Sequence, residues 1–451
     1  MKKFASLLIP VCIALSGIIT GCKQAAGPRI DIIQIEGASW ASNVTSSYGW
    51  FGASTEIEGQ NKLTLAASDG DLLYMFLDDL QYYCRYNSKD GKDLELTYDT
   101  LRAISVFLNG ELNYMELSEP SCLEAFAALT DPEIAQLSTL NFNGPLAEDI
   151  IPILKEHESQ LQGIGLVLEN ESAFPDLNEL LDLCRPEYLV LHNSSLLPEP
   201  DDNNTRQGLE LLWIDESIPS LSKSVACCTD LESIIISGWE PLPGEILPLS
   251  SLKGLRNLTV AESDLTSLQA IEFPETLQSL NLIYCDTLVN IDQIAYLPKL
   301  CRLSLTACER VNNIGLLKDL ESLRWISFPG NVSHLEFQEL CSSLSQLEVA
   351  ELLDCPEITD LLPLNQVQSL RVLALQLEEE QLTGLDSLKQ LELLILTDEL
   401  FNDNPDWIKD LRASLPQVQI VPGSGMCLGS GWLLLLLPLI LLFRFRFRQK
   451  A

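Results

Sequence analysis

The sequence predicts an α/β solenoid, with a curved parallel sheet on the concave side and short helical or 3₁₀ returns on the convex side. Three observations predict it. An apolar-x-x-apolar-x-apolar pattern recurs about every 23 residues, each copy alternates like a strand, and apolar residues spaced by three follow it. The copies begin at Leu112, Leu137, Leu161, Pro186, Leu209, Leu231, Leu255, Leu277, Leu300, Leu323, Leu347, Leu370, Leu391 and Leu415.

Residues 277–297 show what one unit contains. Leu280 and Leu282 alternate with other residues, as in a strand that turns one side inward. The apolar residues from Leu288 to Leu297 then recur at every third position, which suits a short 3₁₀ or helical return. One unit cannot bury its own apolar edge, so neighbouring units must stack and share a continuous core.

A further position links each strand to its return. It holds Cys285, Cys308, Asn331 and Cys355 in four units. In three others it holds Ser194, Ser217 and Ser263. The whole pattern, L-x-x-L-x-L-x-x-N/C-x-L, resembles the leucine-rich repeat family, and the 22-to-23-residue units are similar to bacterial internalin-like repeats. The resemblance covers residues 111–422 and implies that this side chain closes the turn from the inside. Such an array is a binding scaffold whose repeat names no ligand.

The first residues read as an export signal. Residues 1–21 combine Lys2 and Lys3 with an apolar stretch and small residues at its end, which predicts a signal peptide. Ile19-Thr20-Gly21-Cys22 resembles the lipobox of bacterial lipoproteins, which implies that Cys22 is lipidated and becomes the new N-terminus. An ordinary signal peptide with an incidental cysteine is the alternative. Residues 22–30 read as a linker.

Residues 31–110 do not fit the repeat. The stretch from Ile30 to Leu65 alternates apolar and polar residues and favours strands, whereas residues 71–86 place apolar side chains at helical spacing. Because the first unit of a solenoid exposes its core edge, we interpret this region as an N-terminal cap or small α/β unit. An independent ligand-binding domain is the alternative.

The last segment, residues 423–451, combines a Gly/Cys motif, an apolar segment and an arginine cluster. Residues 426–443 are just long enough to span a bilayer as a helix. The basic end would stay in the cytoplasm, which puts the repeats on the periplasmic or extracellular side of a cell envelope membrane. The segment is either a retained transmembrane anchor or a sorting tail. It resembles the tripartite tails of Synergist or myxobacterial type, in which Gly425 and Cys427 would mark the sorting or cleavage region.

The body of the chain is strongly acidic. Residues 1–30 and 423–451 together hold eight of the 28 basic residues and no acidic one. The rest of the chain therefore contains 20 basic and 64 acidic residues. Such a field repels phosphate backbones, and we therefore expect no nucleic-acid partner.

Ten cysteines lie in that body. An even number of cysteines in an exported chain is consistent with disulfides. Cysteines at the inward turn position, however, behave as small buried apolar residues. We expect mostly free thiols. Cys285 and Cys308, at equivalent places in adjacent units, are the first pair to check.

In the leucine-rich repeat family the third, fifth and seventh residues of each unit face the concave surface. Four of these residues are charged here, namely Glu116, Asp215, Arg302 and Glu351. Aromatic side chains in a field of low charge are typical of recognition surfaces. We therefore expect a protein or glycan ligand there, with Tyr188, Trp213 and Trp325 as candidate binding residues and both tryptophans exposed. Strand propensity alone also favours such residues.

No motif points to catalysis. The three histidines, His157, His192 and His334, lie beside no nucleophile signature, and neither a calcium loop nor a metal-site spacing occurs. We expect no enzyme activity, no cofactor and no metal. The leading hypothesis is an exported, membrane-tethered binding protein that acts in recognition or adhesion through its concave face. The alternative is a structural envelope protein without a specific ligand.

Overall fold

The structure is a computed structural model of the 451-residue chain. It describes residues 30–36, 41–46, 52–57, 60–68, 72–77, 80–85, 93–99, 105–108, 111–117, 120–143, 150–169, 177–192, 208–215, 221–377 and 379–423. The signal peptide, Cys22, Gly425, Cys427 and the apolar tail segment lie outside these residues, as do Ser194 and Ser217. Within the described ranges, no helix has the length and apolar character needed to cross a bilayer.

The residues before the array form strands. These are β1 (Ile30–Glu36), β2 (Ala41–Ser46), β3 (Gly52–Ile57), β4 (Gln60–Ser68), β5 (Leu72–Leu77), β6 (Leu80–Arg85), β7 (Asp93–Asp99) and β8 (Ser105–Leu108). β1 pairs antiparallel with β4 and parallel with β7, while β2, β5 and β6 form a separate three-stranded sheet. No helix occurs in the described part of residues 30–117.

The helical expectation for residues 71–86 was therefore wrong. β5 and β6 pair antiparallel, with Leu72 opposite Arg85 and Leu77 opposite Leu80. A short apolar run such as residues 72–77 fits a buried strand as well as a helix, so periodicity alone does not separate the two.

The array itself is a parallel sheet in chain order. At its first edge β9 (Glu111–Glu116) pairs parallel with the first of thirteen further strands. These are β10 (Thr139–Asn143), β11 (Gly165–Glu169), β12 (Tyr188–His192), β13 (Leu211–Asp215), β14 (Ser233–Ser237), β15 (Asn257–Ala261), β16 (Ser279–Ile283), β17 (Arg302–Ser304), β18 (Trp325–Ser327), β19 (Val349–Leu353), β20 (Val372–Gln376), β21 (Leu393–Thr397) and β22 (Gln419–Gly423). β3 is the neighbour of β22 in the sheet order, so N-terminal strands adjoin both edges of the array.

The returns between the strands are helical or 3₁₀. The helices are α1 (Pro120–Ala127), α2 (Asp131–Ile134), α3 (Ile150–Glu156), α4 (Leu177–Cys184), α5 (Leu221–Cys227), α6 (His334–Ser343), α7 (Asp398–Asp403) and α8 (Pro405–Ser414). The 3₁₀ segments are Leu249–Ser251, Leu268–Ala270, Asp292–Tyr296, Ile314–Asp319, Leu362–Gln366, Glu379–Leu382 and Leu385–Ser387. The predicted leucine-rich-repeat solenoid is thus confirmed.

The return helix α6 has ten residues and a capped start. The Ser333 hydroxyl accepts from the Glu336 backbone N–H at 3.3 Å, and the Glu336 carboxylate accepts from the Ser333 backbone N–H at 3.0 Å. This reciprocal pair is a capping box, which satisfies two otherwise unpaired donors at the first turn of α6.

A single core runs along the array between the sheet and the returns. It extends from Met115 to Ile420 and consists largely of the leucines that define the repeat. The core thickens around Phe328 and Phe337, whose rings meet edge to face with centroids 5.5 Å apart. Stacking of neighbouring units therefore supplies the apolar burial that a single unit lacks.

The turn after each strand has a common geometry. The residue before the Asn/Cys position has a left-handed backbone in several units, with φ of 52° at Tyr284 and 54° at Ala307. The next side chain then bonds backbone carbonyls from the inside, as when the Cys308 thiol donates to the Leu282 carbonyl at 3.4 Å. Ser263 does the same to the Trp239 carbonyl at 2.6 Å. The predicted role of this position is confirmed.

A row of ion pairs crosses four units at the start of their strands. Arg324 contacts Glu348 at 3.2 Å, Glu348 contacts Arg371 at 3.5 Å, and Arg371 binds Glu392 through Nε at 2.7 Å and Nη2 at 2.8 Å. All four residues hold the second position of their unit. We call this row the edge ladder. The sequence pattern did not predict it, because alternating charges 21 to 24 residues apart become neighbours only after stacking.

Two units start at other residues than the sequence suggested. Gly165 pairs with Thr139, so the third unit begins at residue 163 and not at Leu161. Gln419 pairs with Leu393, so the last unit begins at residue 417 and not at Leu415, which lies at the end of α8. Both shifts are of two residues and therefore leave the assignment of strand faces unchanged.

Candidate binding surface

The face of the sheet opposite the core carries two apolar clusters of its own. One consists of Val167, Tyr188, Val190 and Leu211, with Trp213 packed against it. The other consists of Trp325, Val349, Leu353, Val372, Ala374, Leu393, Ile395 and Val421. We call them the first and second apolar patches. Their residues belong to the third, fifth and seventh positions, which are the positions predicted to face the concave side.

A polar belt separates the two patches on strands β14 to β18. Small polar side chains bond one another across neighbouring strands there. The Asn257 amide donates to the Ser233 hydroxyl at 3.0 Å, and the Asn281 amide donates to the Thr259 hydroxyl at 3.1 Å. The Thr306 and Ser327 hydroxyls are 2.7 Å apart. The concave face is therefore apolar at both ends and polar in the middle, a division that the sequence analysis did not identify.

Tyr188 lies across a glycine. A Cβ atom at Gly165 would overlap the Tyr188 ring, so the absence of a side chain at this position is what admits the ring. The Tyr188 hydroxyl hydrogen-bonds Thr139, two strands away from its own. Tyr188 is buried and bridges three strands. It lies on the predicted face, and its contacts also stabilise the packing of the sheet.

Trp213 is half-buried and packs against the first patch. Its ring meets the His192 ring edge to face, with centroids 5.5 Å apart and planes at 70°. Ala261, Gln376 and Thr397 are also half-buried, and with His192 they hold the seventh position of their units. We call these four residues together with Trp213 the carboxyl rim, because the four are the last residues of their strands and Trp213 contacts His192.

Trp325 forms the centre of a buried ionisable cluster. The Arg302 guanidinium lies 4.3 Å above its ring, and its Nε1–H donates to Glu351 Oε1 at 2.5 Å. Burial raises the pKa of the Glu351 carboxyl to about 8, against the opposing effects of its bonds with Trp325 and Ser327 and of the Arg302 charge. At neutral pH Glu351 is therefore mainly a neutral acid, and Arg302 is stabilised by the aromatic face.

The expected exposure of Trp325 was wrong. Its relative exposure is 2%, because Arg302 covers one face of the ring and the second apolar patch packs around it. Most other concave side chains in the described strands are buried too. The concave surface that solvent reaches is therefore mainly the carboxyl rim.

The concave face carries one more charged residue than the sequence analysis identified. The corrected register of β11 places Glu169 at a concave position, where it accepts a hydrogen bond from the Asn141 amide at 2.9 Å. The four charged concave residues expected from the sequence are thus joined by a fifth. The sequence analysis missed Glu169 because Leu161, Ile164 and Leu166 also fit the motif, which placed the start of this unit two residues too early.

The described histidines lie apart from one another. His157 Nδ1 is 3.0 Å from Asp131, and His334 Nε2 is 3.7 Å from Asp360, both on the return side. In the described part of the chain, no three His, Cys, Asp or Glu residues are grouped as metal ligands would be.

No protein-family model matches this chain. Among solved structures, an internalin C2 from Listeria monocytogenes is 24% identical over 39% of this chain and 75% of its own, with a TM-score of 0.31. A second Listeria monocytogenes internalin is 15% identical over 69% of this chain and 85% of its own, with a TM-score of 0.34. A leucine-rich-repeat protein from Leptospira interrogans is 17% identical over 68% and 99%, with a TM-score of 0.30. The fold assignment rests on the parallel sheet, the unit length and the turn geometry.

Proposed function

We propose that this chain is an exported, membrane-tethered leucine-rich-repeat protein that binds a protein or glycan partner through the concave side of its array. The observation that carries the proposal is the pair of apolar patches on the face away from the core. Stacking of units needs apolar side chains only on the core side, so the repeat itself does not require patches on the other face.

The carboxyl rim is the part of this surface that a partner would meet first. Trp213 and His192 offer aromatic rings, and Gln376 and Thr397 offer hydrogen-bonding groups at the other end. Interface centres favour aromatic residues, and the acidic residues Glu169 and Asp215 lie on either side of His192 in the neighbouring strands. The proposal assigns no catalytic role, and it places the repeats outside the cytoplasmic membrane on the strength of the two terminal segments.

A structural envelope protein without a specific ligand is the second candidate. One observation favours it: the chain alone already buries most concave side chains, with Val349, Val372 and Ile395 at 0% exposure. A face that is covered within its own chain would leave only lateral contacts between copies.

Site-specific photo-crosslinking separates the two candidates. Trp213 is replaced by benzoylphenylalanine in the full chain in its native envelope, and Tyr296 receives the same substitution as the matched control. Tyr296 is aromatic too, but it lies in a return and is 81% exposed. The proposal predicts adducts with a different molecule from position 213 and none from position 296. Adducts of the chain with itself alone, or equal adducts from both positions, would support the structural candidate.

A further inference from the structure

Two cysteines hold the same buried position in neighbouring units of the array. Ser279 pairs with Arg302 in the sheet, and Cys285 and Cys308 each follow six residues later. Both side chains have 0% exposure. The Cys308 thiol also reaches the Leu282 carbonyl at 3.4 Å, which belongs to the unit that carries Cys285.

The two thiols shift each other's pKa. The Cys308 thiol lowers the pKa of Cys285, while the Cys285 thiol, together with burial, raises the pKa of Cys308. By contrast, burial alone dominates at Cys355 and raises the pKa of its thiol to about 12. Adjacent strands lie about 4.8 Å apart, within the roughly 4.4–6.8 Å between Cα atoms that a disulfide requires.

We propose that Cys285 and Cys308 are a modification site, at which a disulfide joins two neighbouring repeats when the chain folds in an oxidising compartment. The compartment rests on the export that the proposed function includes, whereas the pairing rests on the geometry of the two units. Disulfides are rare in reducing compartments and persist outside the cytoplasm.

The reaction is thiol–disulfide exchange with a disulfide-carrying oxidant. The Cys285 thiolate attacks one sulfur of the oxidant, which forms a mixed disulfide and releases one oxidant thiolate. That thiolate takes the proton of Cys308, and the Cys308 thiolate then attacks the Cys285 sulfur and releases the second oxidant thiolate. The second oxidant thiolate takes up the proton that Cys285 gave to water, so the two protein thiols are oxidised by two electrons and the oxidant disulfide is reduced to two thiols. Because both thiols end fully buried, the exchange takes place while the two units close on each other.

The chain contains its own control. Cys355 holds the same turn position, but the equivalent residues of its neighbouring units are Asn331 and Glu378 in the sequence. It is as buried as the pair and has no cysteine beside it at this position. If burial alone decides how a cysteine is labelled, Cys355 will carry the same label as Cys285. If the disulfide decides it, the two cysteines will carry different labels.

The test is differential alkylation of the full chain. The detergent-purified, reduced and unfolded protein is refolded with oxidised and reduced glutathione and then denatured with N-ethylmaleimide. After reduction, iodoacetamide labels the thiols that were oxidised, and peptide mass spectrometry locates both labels. We expect iodoacetamide on Cys285 and Cys308 and N-ethylmaleimide on Cys355. N-ethylmaleimide on all three, in a sample with native circular dichroism, would overturn the proposal.

A variant and a second sample complete the test. Cys308→Ser replaces the thiol with a hydroxyl, which Ser263 already provides at the same turn position in another unit. The variant should abolish the dependence of the urea midpoint on glutathione that the unchanged chain shows. An equal dependence in both proteins would also overturn the proposal. Protease accessibility in intact cells reports export separately. A chain that is inaccessible there, but forms the bond on refolding, would contradict the proposed function and leave the pairing standing.

Discussion

The buried carboxyl of Glu351 makes the stability of the array depend on pH in a defined way. Burial raises its pKa in the folded chain from 4.5 to about 8. Below pH 4.5 the Glu351 carboxyl is mostly protonated in both the folded and the unfolded chain, so its burial costs no stability there. Its cost grows as the pH rises towards 8 and then stays constant, because only the unfolded chain releases the proton in between. The unchanged protein should therefore lose stability between these two pH values.

Glu351→Gln isolates this effect. Glutamine has the shape of the neutral acid, and its carbonyl can accept the bond that Trp325 Nε1–H donates to Glu351 at 2.5 Å. The variant should match the unchanged protein near pH 4 and exceed it by about 3 kcal/mol at pH 7, given about 1.36 kcal/mol for each tenfold change in the ionisation constant. At pH 9 the difference should reach about 4–5 kcal/mol.

Urea unfolding followed by circular dichroism at pH 4, 7 and 9 measures the difference. Comparing variant with unchanged protein at each pH cancels the titration of all other groups. Glu348→Gln is the control, because it removes contacts with Arg324 and Arg371 in the edge ladder and should lower stability at pH 7. A Glu351→Gln difference that does not change with pH, or that has the opposite sign at pH 7, would refute the account of this cluster.

Three further substitutions test the packing. Gly165→Ala should lower the free energy of unfolding by about 1–3 kcal/mol, because the new Cβ overlaps the Tyr188 ring; a loss that persists unchanged when Tyr188 is also Ala would contradict this cause. Arg371→Gln should cost about 0.5–1 kcal/mol and less in 1 M salt, since the edge ladder is partly exposed; a loss independent of salt would exclude an ionic origin. Ala307→Gly should raise the free energy of unfolding by up to about 1 kcal/mol, since it removes the strain of a left-handed backbone. Ala261→Gly, which changes a strand residue, should lower the free energy of unfolding. Changes of the same sign in both variants would argue against strain.

The architecture could be predicted because its signal is repeated. Each leucine of the motif fills the same place in the core, so a single ambiguous unit does not alter the fold. Ambiguity appears where extra apolar residues flank the motif. Leu161 and Leu415 are both buried and both fit the first position, yet the pairing of Gly165 and Gln419 places their units two residues later. Periodicity sets the face of a strand, whereas hydrogen bonding sets its register.

The candidate surface was less predictable. The sequence identified Trp213 and Trp325 as concave residues, but not that Arg302 and Glu351 enclose Trp325 from the neighbouring units on either side. Those contacts join residues 23 and 26 positions apart and arise only through stacking. Exposure depends on what packs against a face, and the alternation of a single strand carries no information about it.

Crosslinking from position 213, with position 296 as its control, tests the central claim most directly, because it asks what the concave side meets in the native envelope. The account predicts that benzoylphenylalanine at 213 forms an adduct with a different molecule and that the same residue at the exposed return position 296 does not. Adducts from 296 alone, or none but dimers of this chain, would contradict recognition through the concave face.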